Sequence, residues 1–142
     1  MGTTGKLVYT SGVFDLLHVG HVRVIKAAAS LGDRLIVGVT TDELAHERKG
    51  RWPVVPFEQR CELVSALRGV DAVIPQRTMD KVAIWERLRF DCWVVGDDWF
   101  DSPEAHGYRS QLEEHGVQTV FVPYTTGVST TMRRQAFGVG SP

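Results

Sequence analysis

Short runs of apolar residues alternate along the chain with segments in which apolar residues recur at helical spacing. The apolar runs predict five strands, at residues 7–10, 35–39, 72–74, 92–95 and 117–122. The helical spacing predicts helices between the strands and a last helix that begins at Ser129. This alternation predicts a single Rossmann-like α/β domain over residues 1–142. It should contain a five-stranded parallel sheet with helices on both faces, and frayed ends at 1–5 and 138–142.

Residues that begin and end helices support these boundaries. Gly32 is predicted to end the first helix, because glycine readily adopts the left-handed conformation that follows many helices. Pro56 precedes an apolar pattern and can stand at a helix start, where its missing N–H costs little. Asp80 and Ser102 are predicted N-caps, and Gly116 is predicted to end the helix that Ser102 opens.

The composition narrows the range of partners. The 142 residues are 43% hydrophobic and 23% charged, and the formal net charge is −1. Nucleic acids and anionic membranes bind basic surfaces, so we expect neither as a partner. No apolar stretch is long enough for membrane insertion, and no signal peptide is recognisable. Cys61 and Cys92 lie among apolar residues, which predicts free thiols and a cytoplasmic protein.

Residues suited to catalysis follow four of the predicted strands. His18 and His21 follow the first strand, and Lys49 and Arg51 belong to a charged loop after the second. The sequence Gly-Asp-Asp-Trp at 96–99 follows the fourth strand, and Gly-Val-Ser-Thr-Thr at 127–131 follows the fifth. Because the carboxyl ends of parallel strands meet at one edge of the sheet, we expect a single site there.

The run from Gly12 to His21, Gly-Val-Phe-Asp-Leu-Leu-His-Val-Gly-His, has the features of a phosphate site. The first N–H groups of a helix lack internal partners and attract anions. Gly20 leaves room for a large group, and imidazoles can donate hydrogen bonds to phosphate oxygens. With the nearby cations, this run predicts nucleotidyl transfer, in which an acceptor phosphate attacks directly and no side-chain nucleophile is needed.

These residues resemble those of the HxGH nucleotidyltransferase superfamily and, within it, of the cytidylyltransferase family, above all the glycerol-3-phosphate cytidylyltransferases. The resemblance extends from about residue 7 to residue 137. It rests on the run at 14–21, on Gly-Asp-Asp-Trp at 96–99 and on Thr-Thr-Gly-Val-Ser-Thr-Thr at 125–131.

The resemblance implies roles for individual residues. His18 and His21 would contact the triphosphate and stabilise the transition state, Asp15 would orient the site, and Lys49 would bridge the substrates, with Arg48 and Arg51 as alternatives. The implied nucleotide-binding residues are Ser11, Gly12, Val13, Phe14, Gly20, Gly96, Asp97, Thr125, Gly127, Ser129, Thr130 and Arg134. The implied acceptor-binding residues are Arg60, Arg68, Asp71, Trp99 and Tyr124. Family members use Mg²⁺, which here would be held through the nucleotide phosphates, and usually form homodimers.

Two residues depart from the family pattern. Tyr124 replaces an arginine that binds phosphate, and Thr126 replaces a glutamate. Either Arg77, Arg133 or Arg134 substitutes for that arginine, or the acceptor is not glycerol 3-phosphate.

We therefore expect transfer of CMP from CTP to a small phosphorylated alcohol, with release of pyrophosphate. The segment 31–37 and the Pro-Phe-Glu-Gln-Arg stretch at 56–60 also resemble heptose-phosphate adenylyltransferase domains. Adenylyl transfer to a sugar phosphate such as a heptose 1-phosphate is thus one alternative, and a non-catalytic nucleotide-binding regulator is another.

Overall fold

The computed structural model describes residues 5–96, 99 and 101–123, and these residues form one parallel sheet with helices. The strands are β1 (Leu7–Gly12), β2 (Arg34–Thr40), β3 (Ala72–Gln76), β4 (Cys92–Gly96) and β5 (Gln118–Val122). The helices are α1 (Val19–Ser30), α2 (Asp42–Lys49), α3 (Phe57–Ser65), α4 (Lys81–Leu88) and α5 (Pro103–Glu113).

The strand order is β3-β2-β1-β4-β5, and every pairing is parallel. The chain builds outwards from β1 to β2 and β3, then returns to the other side of β1 with β4 and β5. The order therefore reverses between β1 and β4. At such a point the loops that follow the two strands diverge and leave a cleft at their carboxyl ends. We call this space the switch-point cleft. The prediction of a five-stranded parallel α/β sheet is confirmed.

Two hydrophobic layers cover the sheet. On one face, Val24, Ile25 and Ala28 of α1 and Val64 of α3 pack against alternate strand residues. On the other face, α4 and α5 pack against residues that include Tyr9 and Trp93. The four residues at 92–95 are all buried, as expected for a central strand with helices on both faces. Burial of each large apolar side chain contributes about 1.5–3 kcal/mol, so the central strands hold the cleft on a rigid base.

The structure corrects one element and several boundaries. Residues 47–49, predicted to lie in a charged loop, form the end of helix α2. No helical apolar pattern is visible in this segment because Ala45 is the helix's one buried residue. Thr41, whose Oγ1 accepts a hydrogen bond from the Leu44 N–H, caps its start, and Gly50 ends it at a φ of 75°. The side chains of α2 therefore remain at the surface while their backbone is helical.

Other boundaries differ by a few residues. Helix α1 ends with Leu31 as its C-cap, one residue before the predicted Gly32. Strand β3 continues through Pro75, which an edge strand tolerates because one side of its backbone needs no partner. The predicted N-caps Asp80 and Ser102 are confirmed, since both side chains accept backbone hydrogen bonds from their helices. The helix predicted after Ser129 and the segment 138–142 lie outside the described residues.

Candidate active site

His18 and His21 form a reciprocal cap at the start of α1. Nδ1 of His18 accepts a hydrogen bond from the Gly20 N–H at 3.0 Å, and Nδ1 of His21 accepts one from the His18 N–H at 3.1 Å. The two ring centroids are 4.0 Å apart. Because each Nδ1 is an acceptor, each neutral ring carries its proton on Nε2. The helix start thus presents two imidazole donors side by side at the end of β1.

The surroundings of His21 keep its ring neutral. Its side chain is buried against the Phe14 ring, whose centroid is 5.5 Å from its own. Burial is the main cause that lowers the pKa of His21 to about 4; the charges of His18 and Lys49 act in the same direction, and Asp15 opposes them. His21 is therefore a neutral hydrogen-bond donor near pH 7. The charge of Lys49 is thus one of those that act on this ring.

Asp15 holds the connection between α2 and α3, residues 50–56, against the loop that contains the histidines. Its Oδ2 accepts a hydrogen bond from the Val54 N–H and its Oδ1 one from the Val55 N–H, both at 2.9 Å. The carboxylate is almost fully buried. Asp15 therefore contributes to the site by fixing this connection, which begins directly after Lys49.

Arg60 lies at the expected edge, but its guanidinium is used to join segments of the chain. It is completely buried and donates hydrogen bonds to the carbonyls of Val13, Thr40 and Val55 at 2.7–2.9 Å. It also forms an ion pair with Asp42. The structure does not support the predicted direct contact with acceptor, because these partners enclose the guanidinium. In the sequence, Arg60 is a single charged residue within a helical pattern, and that pattern does not indicate that its side chain is buried.

Lys49 and its two alternatives differ in their surroundings. Lys49 is the exposed last residue of α2, and its charge acts on His21. Arg48 instead makes a two-pronged ion pair with Glu104 of α5. Arg51 is partly buried in the 50–56 connection. Among the three cations, Lys49 is the one whose charge lowers the pKa of His21.

Lys81 is a residue of this edge that the sequence analysis did not single out. It is 2% exposed at the first position of α4, and its Nζ donates to the Met79 carbonyl at 3.1 Å. Nζ lies 5.7 Å from the ring centroid of Trp93, 5.9 Å from that of Trp99 and 5.6 Å from that of Tyr108. One feature of the sequence could have identified Lys81. It stands directly after the predicted N-cap Asp80, in the segment that follows the third strand.

Burial lowers the pKa of Lys81 to about 8, with nearby charges acting in both directions. The ammonium form therefore still predominates at pH 7. A cation that is removed from water and enclosed by aromatic rings can bind an anion strongly, because little solvent competes for it. Lys81 and Trp99 thus form a second cationic position at the same edge as the histidines.

Two predicted acceptor-binding residues lie at the opposite edge of the sheet. The Asp71 carboxylate accepts a hydrogen bond from the Leu35 N–H at 2.7 Å, at the amino ends of β2 and β3. Arg68 is exposed in the turn just before it. A surface depression of about 890 Å³ also lies at this edge, beside the start of β1. The structure therefore does not bring Arg68 and Asp71 to the histidines, and the depression is not part of the site.

The remaining predicted site residues fall into two groups. Ser11 and Gly12 end β1, Gly96 ends β4, and Gly20 is buried in the first turn of α1, so all four lie at the switch-point cleft. Outside the described residues lie Asp97, Tyr124, Thr125, Gly127, Ser129, Thr130 and Arg134. Within the described part of the chain, no cluster of three or more potential metal ligands occurs. Nor does any described helix have the length and apolarity needed to cross a membrane.

Comparisons with known proteins place this geometry in context. A family model described as cytidylyltransferase-like matches residues 9–136. The FAD synthase of Pyrococcus abyssi is 52% identical over 120 residues, which cover 82% of this chain and 80% of that protein. The glycerol-3-phosphate cytidylyltransferase of Bacillus subtilis is 35% identical over 133 residues, which cover 89% of this chain and 92% of that protein.

A third relative is much longer than this chain. The bifunctional protein HldE of Streptomyces coelicolor is 41% identical over 130 residues, which cover 89% of this chain. The match spans only 27% of that protein, so the similarity concerns one part of it.

Proposed function

The chain belongs to the cytidylyltransferase-like family, and on that premise we propose that it transfers CMP from CTP to a small phosphorylated alcohol such as glycerol 3-phosphate. Pyrophosphate is the other product. The observation that carries the proposal is the pair His18 and His21, which caps α1 at the switch-point cleft with both Nδ1 atoms engaged. This pair suits a reaction in which negative charge develops on a phosphate.

In the proposed reaction, a phosphate oxygen of the acceptor attacks the α-phosphorus of CTP. The bond from that phosphorus to the bridging oxygen of the β-phosphate breaks, and its electron pair leaves with pyrophosphate. The Nε2–H groups of His18 and His21 donate to the α-phosphate as its charge increases, and Lys49 adds positive charge. Mg²⁺ bound to the triphosphate would neutralise part of its charge. The chain's own residues hold the two anions in line and supply no nucleophile.

We assign the acceptor to the side of the cleft that contains Lys81 and Trp99. Lys81 provides a buried ammonium for the acceptor phosphate, held among the rings of Trp93, Trp99 and Tyr108. This arrangement supports an acceptor that carries a phosphate. The resemblance to the family further suggests a cytoplasmic homodimer, which we include in the proposal.

Adenylyl transfer is the second candidate. It is favoured by the higher identities to the FAD synthase of Pyrococcus abyssi, 52%, and to HldE of Streptomyces coelicolor, 41%. The phosphate chemistry at the histidines is the same for either base, so the two candidates differ only in the nucleotide and the acceptor.

The proposed function is tested by measuring pyrophosphate release from each nucleoside triphosphate with a panel of acceptors. The panel contains glycerol 3-phosphate, a heptose 1-phosphate and flavin mononucleotide. We expect release with CTP and glycerol 3-phosphate. The matched variant is His18→Ser, because serine still caps the helix but cannot reach the substrate, and it should lose about 100- to 1,000-fold in kcat.

Each of the other possible outcomes would change the proposal in a definite way. A preference for ATP with flavin mononucleotide or the heptose phosphate would replace cytidylyl by adenylyl transfer. Nucleotide binding without any pyrophosphate release would show a regulator instead of an enzyme. Near-normal turnover of His18→Ser would remove the histidine from the proposed mechanism.

A further inference from the structure

An ion pair joins the end of α2 to the start of α5. Nη2 of Arg48 donates to Oε1 of Glu104 at 2.7 Å, and Nη1 donates to Oε2 at 3.2 Å. Helix α2 follows β2 and α5 follows β4, while β1 lies between these two strands in the sheet. To connect the two helices, the pair must span the carboxyl end of β1, where the loop with the histidines begins. We call this ion pair the clasp.

The clasp anchors the last turn of α2, whereas the ion pair between Asp42 and Arg60 anchors its first turn. Ala45 is the buried residue of α2, and Thr41 caps its first turn. The last turn carries both Arg48 and Lys49. Consecutive helix residues point about 100° apart, so Arg48 can reach α5 while Lys49 points in another direction, close enough to act on His21. The position of Lys49 thus depends on what holds this last turn.

The clasp also borders the acceptor side of the cleft. The charges of both its residues act on Lys81, where Glu104 raises the pKa and Arg48 lowers it. The clasp is therefore electrostatically coupled to Lys81, while Arg48 is the neighbour of Lys49 in the last turn of α2.

We propose that Arg48 and Glu104 are positioning residues that hold the last turn of α2 against α5 and so keep the Lys49 ammonium where the two substrate phosphates meet. The inference rests on the proposed function. Exposed ion pairs contribute little to global stability, but a two-pronged arginine–carboxylate pair has a defined geometry. Its effect is therefore expected in the placement of one helix turn rather than in the stability of the whole fold.

The test compares the variants Arg48→Gln and Glu104→Gln with a matched control. The chain offers Arg109→Gln, because Arg109 pairs with Glu113 within α5 at 3.2 Å and is 41% exposed, against 38% for Arg48. We expect each clasp variant to lower kcat by about five- to tenfold with the KM for CTP within about twofold. The control should leave both constants unchanged. The charge-reversed double variant, Arg48→Glu with Glu104→Arg, should recover most of the lost kcat.

A second measurement is independent of turnover. Backbone amides of residues 45–49 should exchange with deuterium about fivefold faster in each clasp variant than in the wild type and in Arg109→Gln. If no nucleotide and acceptor give pyrophosphate, the proposed function fails, and this exchange measurement still decides whether the clasp holds α2. Unchanged exchange, kcat equal to that of the control, or a higher kcat in Glu104→Gln would each overturn the inference.

Discussion

At the scale of single residues, the histidines combine a structural and a chemical role in the same ring. Nδ1 of His18 and of His21 caps the backbone, and this contact leaves the proton of each neutral ring on Nε2. A ring fixed in this way is a donor whose direction is set before substrate binds. Such preorganisation is what stabilisation of a developing charge requires.

Burial of His21 predicts a stability that depends on pH. Its pKa is about 4 in the folded protein and about 6.5 when unfolded, so between these values only the unfolded chain binds the proton. Stability from this group is complete above pH 6.5 and is lost as pH falls towards 4. We expect the wild type to lose about 2 kcal/mol of unfolding free energy between pH 7 and pH 5 through His21.

Urea denaturation at the two pH values measures this loss. The variant His21→Gln should lack most of it, whereas His46→Gln, which changes a histidine outside the core, should behave as the wild type does. A pH dependence that is equal in His21→Gln and the wild type would contradict the assignment.

Lys81 gives a second prediction at this scale. Lys81→Met keeps the length of the side chain and its contact with the rings but removes the charge. Loss of a charged hydrogen bond to phosphate, about 1.5–3 kcal/mol, should raise the KM for the acceptor about 10- to 100-fold and leave the KM for CTP within about twofold. Stability should not fall, because a buried ammonium is costly to desolvate. The exposed Lys26→Met serves as control, and an unchanged acceptor KM would exclude Lys81 from acceptor binding.

At the scale of elements, the site depends on how the connection 50–56 is held. Asp15 binds its two consecutive N–H groups, and Arg60 binds the Val55 carbonyl together with carbonyls of β2 and of the loop after β1. These contacts join three segments that are distant in the sequence. The connection is therefore fixed to the histidine loop, and it begins directly after Lys49.

The variant Asp15→Asn tests this unit. An asparagine can accept only one of the two backbone hydrogen bonds, and we expect a loss of about 1–3 kcal/mol in unfolding free energy together with faster proteolysis within 50–56. The control is Asp71→Ala, which removes a carboxylate–backbone hydrogen bond at the opposite edge. It should lower stability but leave kcat and proteolysis at 50–56 unchanged. Equal effects of both variants on kcat would contradict a specific role for the connection.

At the scale of the whole molecule, the parallel topology brings the site together. The histidines follow β1, Gly96 ends β4, Lys49 ends the helix after β2 and Lys81 begins the helix after β3. Each ends or follows a different strand, yet all lie at the carboxyl edge of one sheet. The reversal of strand order between β1 and β4 provides the cleft in which we propose that the substrates bind.

The sequence by itself determined the fold and the kind of chemistry. An apolar run such as 92–95 indicates a strand that is buried on both faces, whichever strands lie beside it in the sheet. The strands and their order along the chain could therefore be predicted. The run from Gly12 to His21 indicated a phosphate site because helix starts and imidazoles act locally. Helix α2 was missed because its stability comes from caps and surface contacts, which leave no apolar period.

Only the tertiary structure decided which charged residues face the cleft. Arg60 and Lys81 are both helix residues of ordinary charged type, but one is enclosed by carbonyls and the other by aromatic rings. Arg60 lies in α3, and Asp71 follows that helix. Asp71 is at the opposite edge of the sheet because α3 crosses the sheet between the two residues. Burial and partners of a charged side chain depend on segments far away in the sequence. Periodicity and spacing describe only its neighbours along the chain, and therefore could not distinguish these roles.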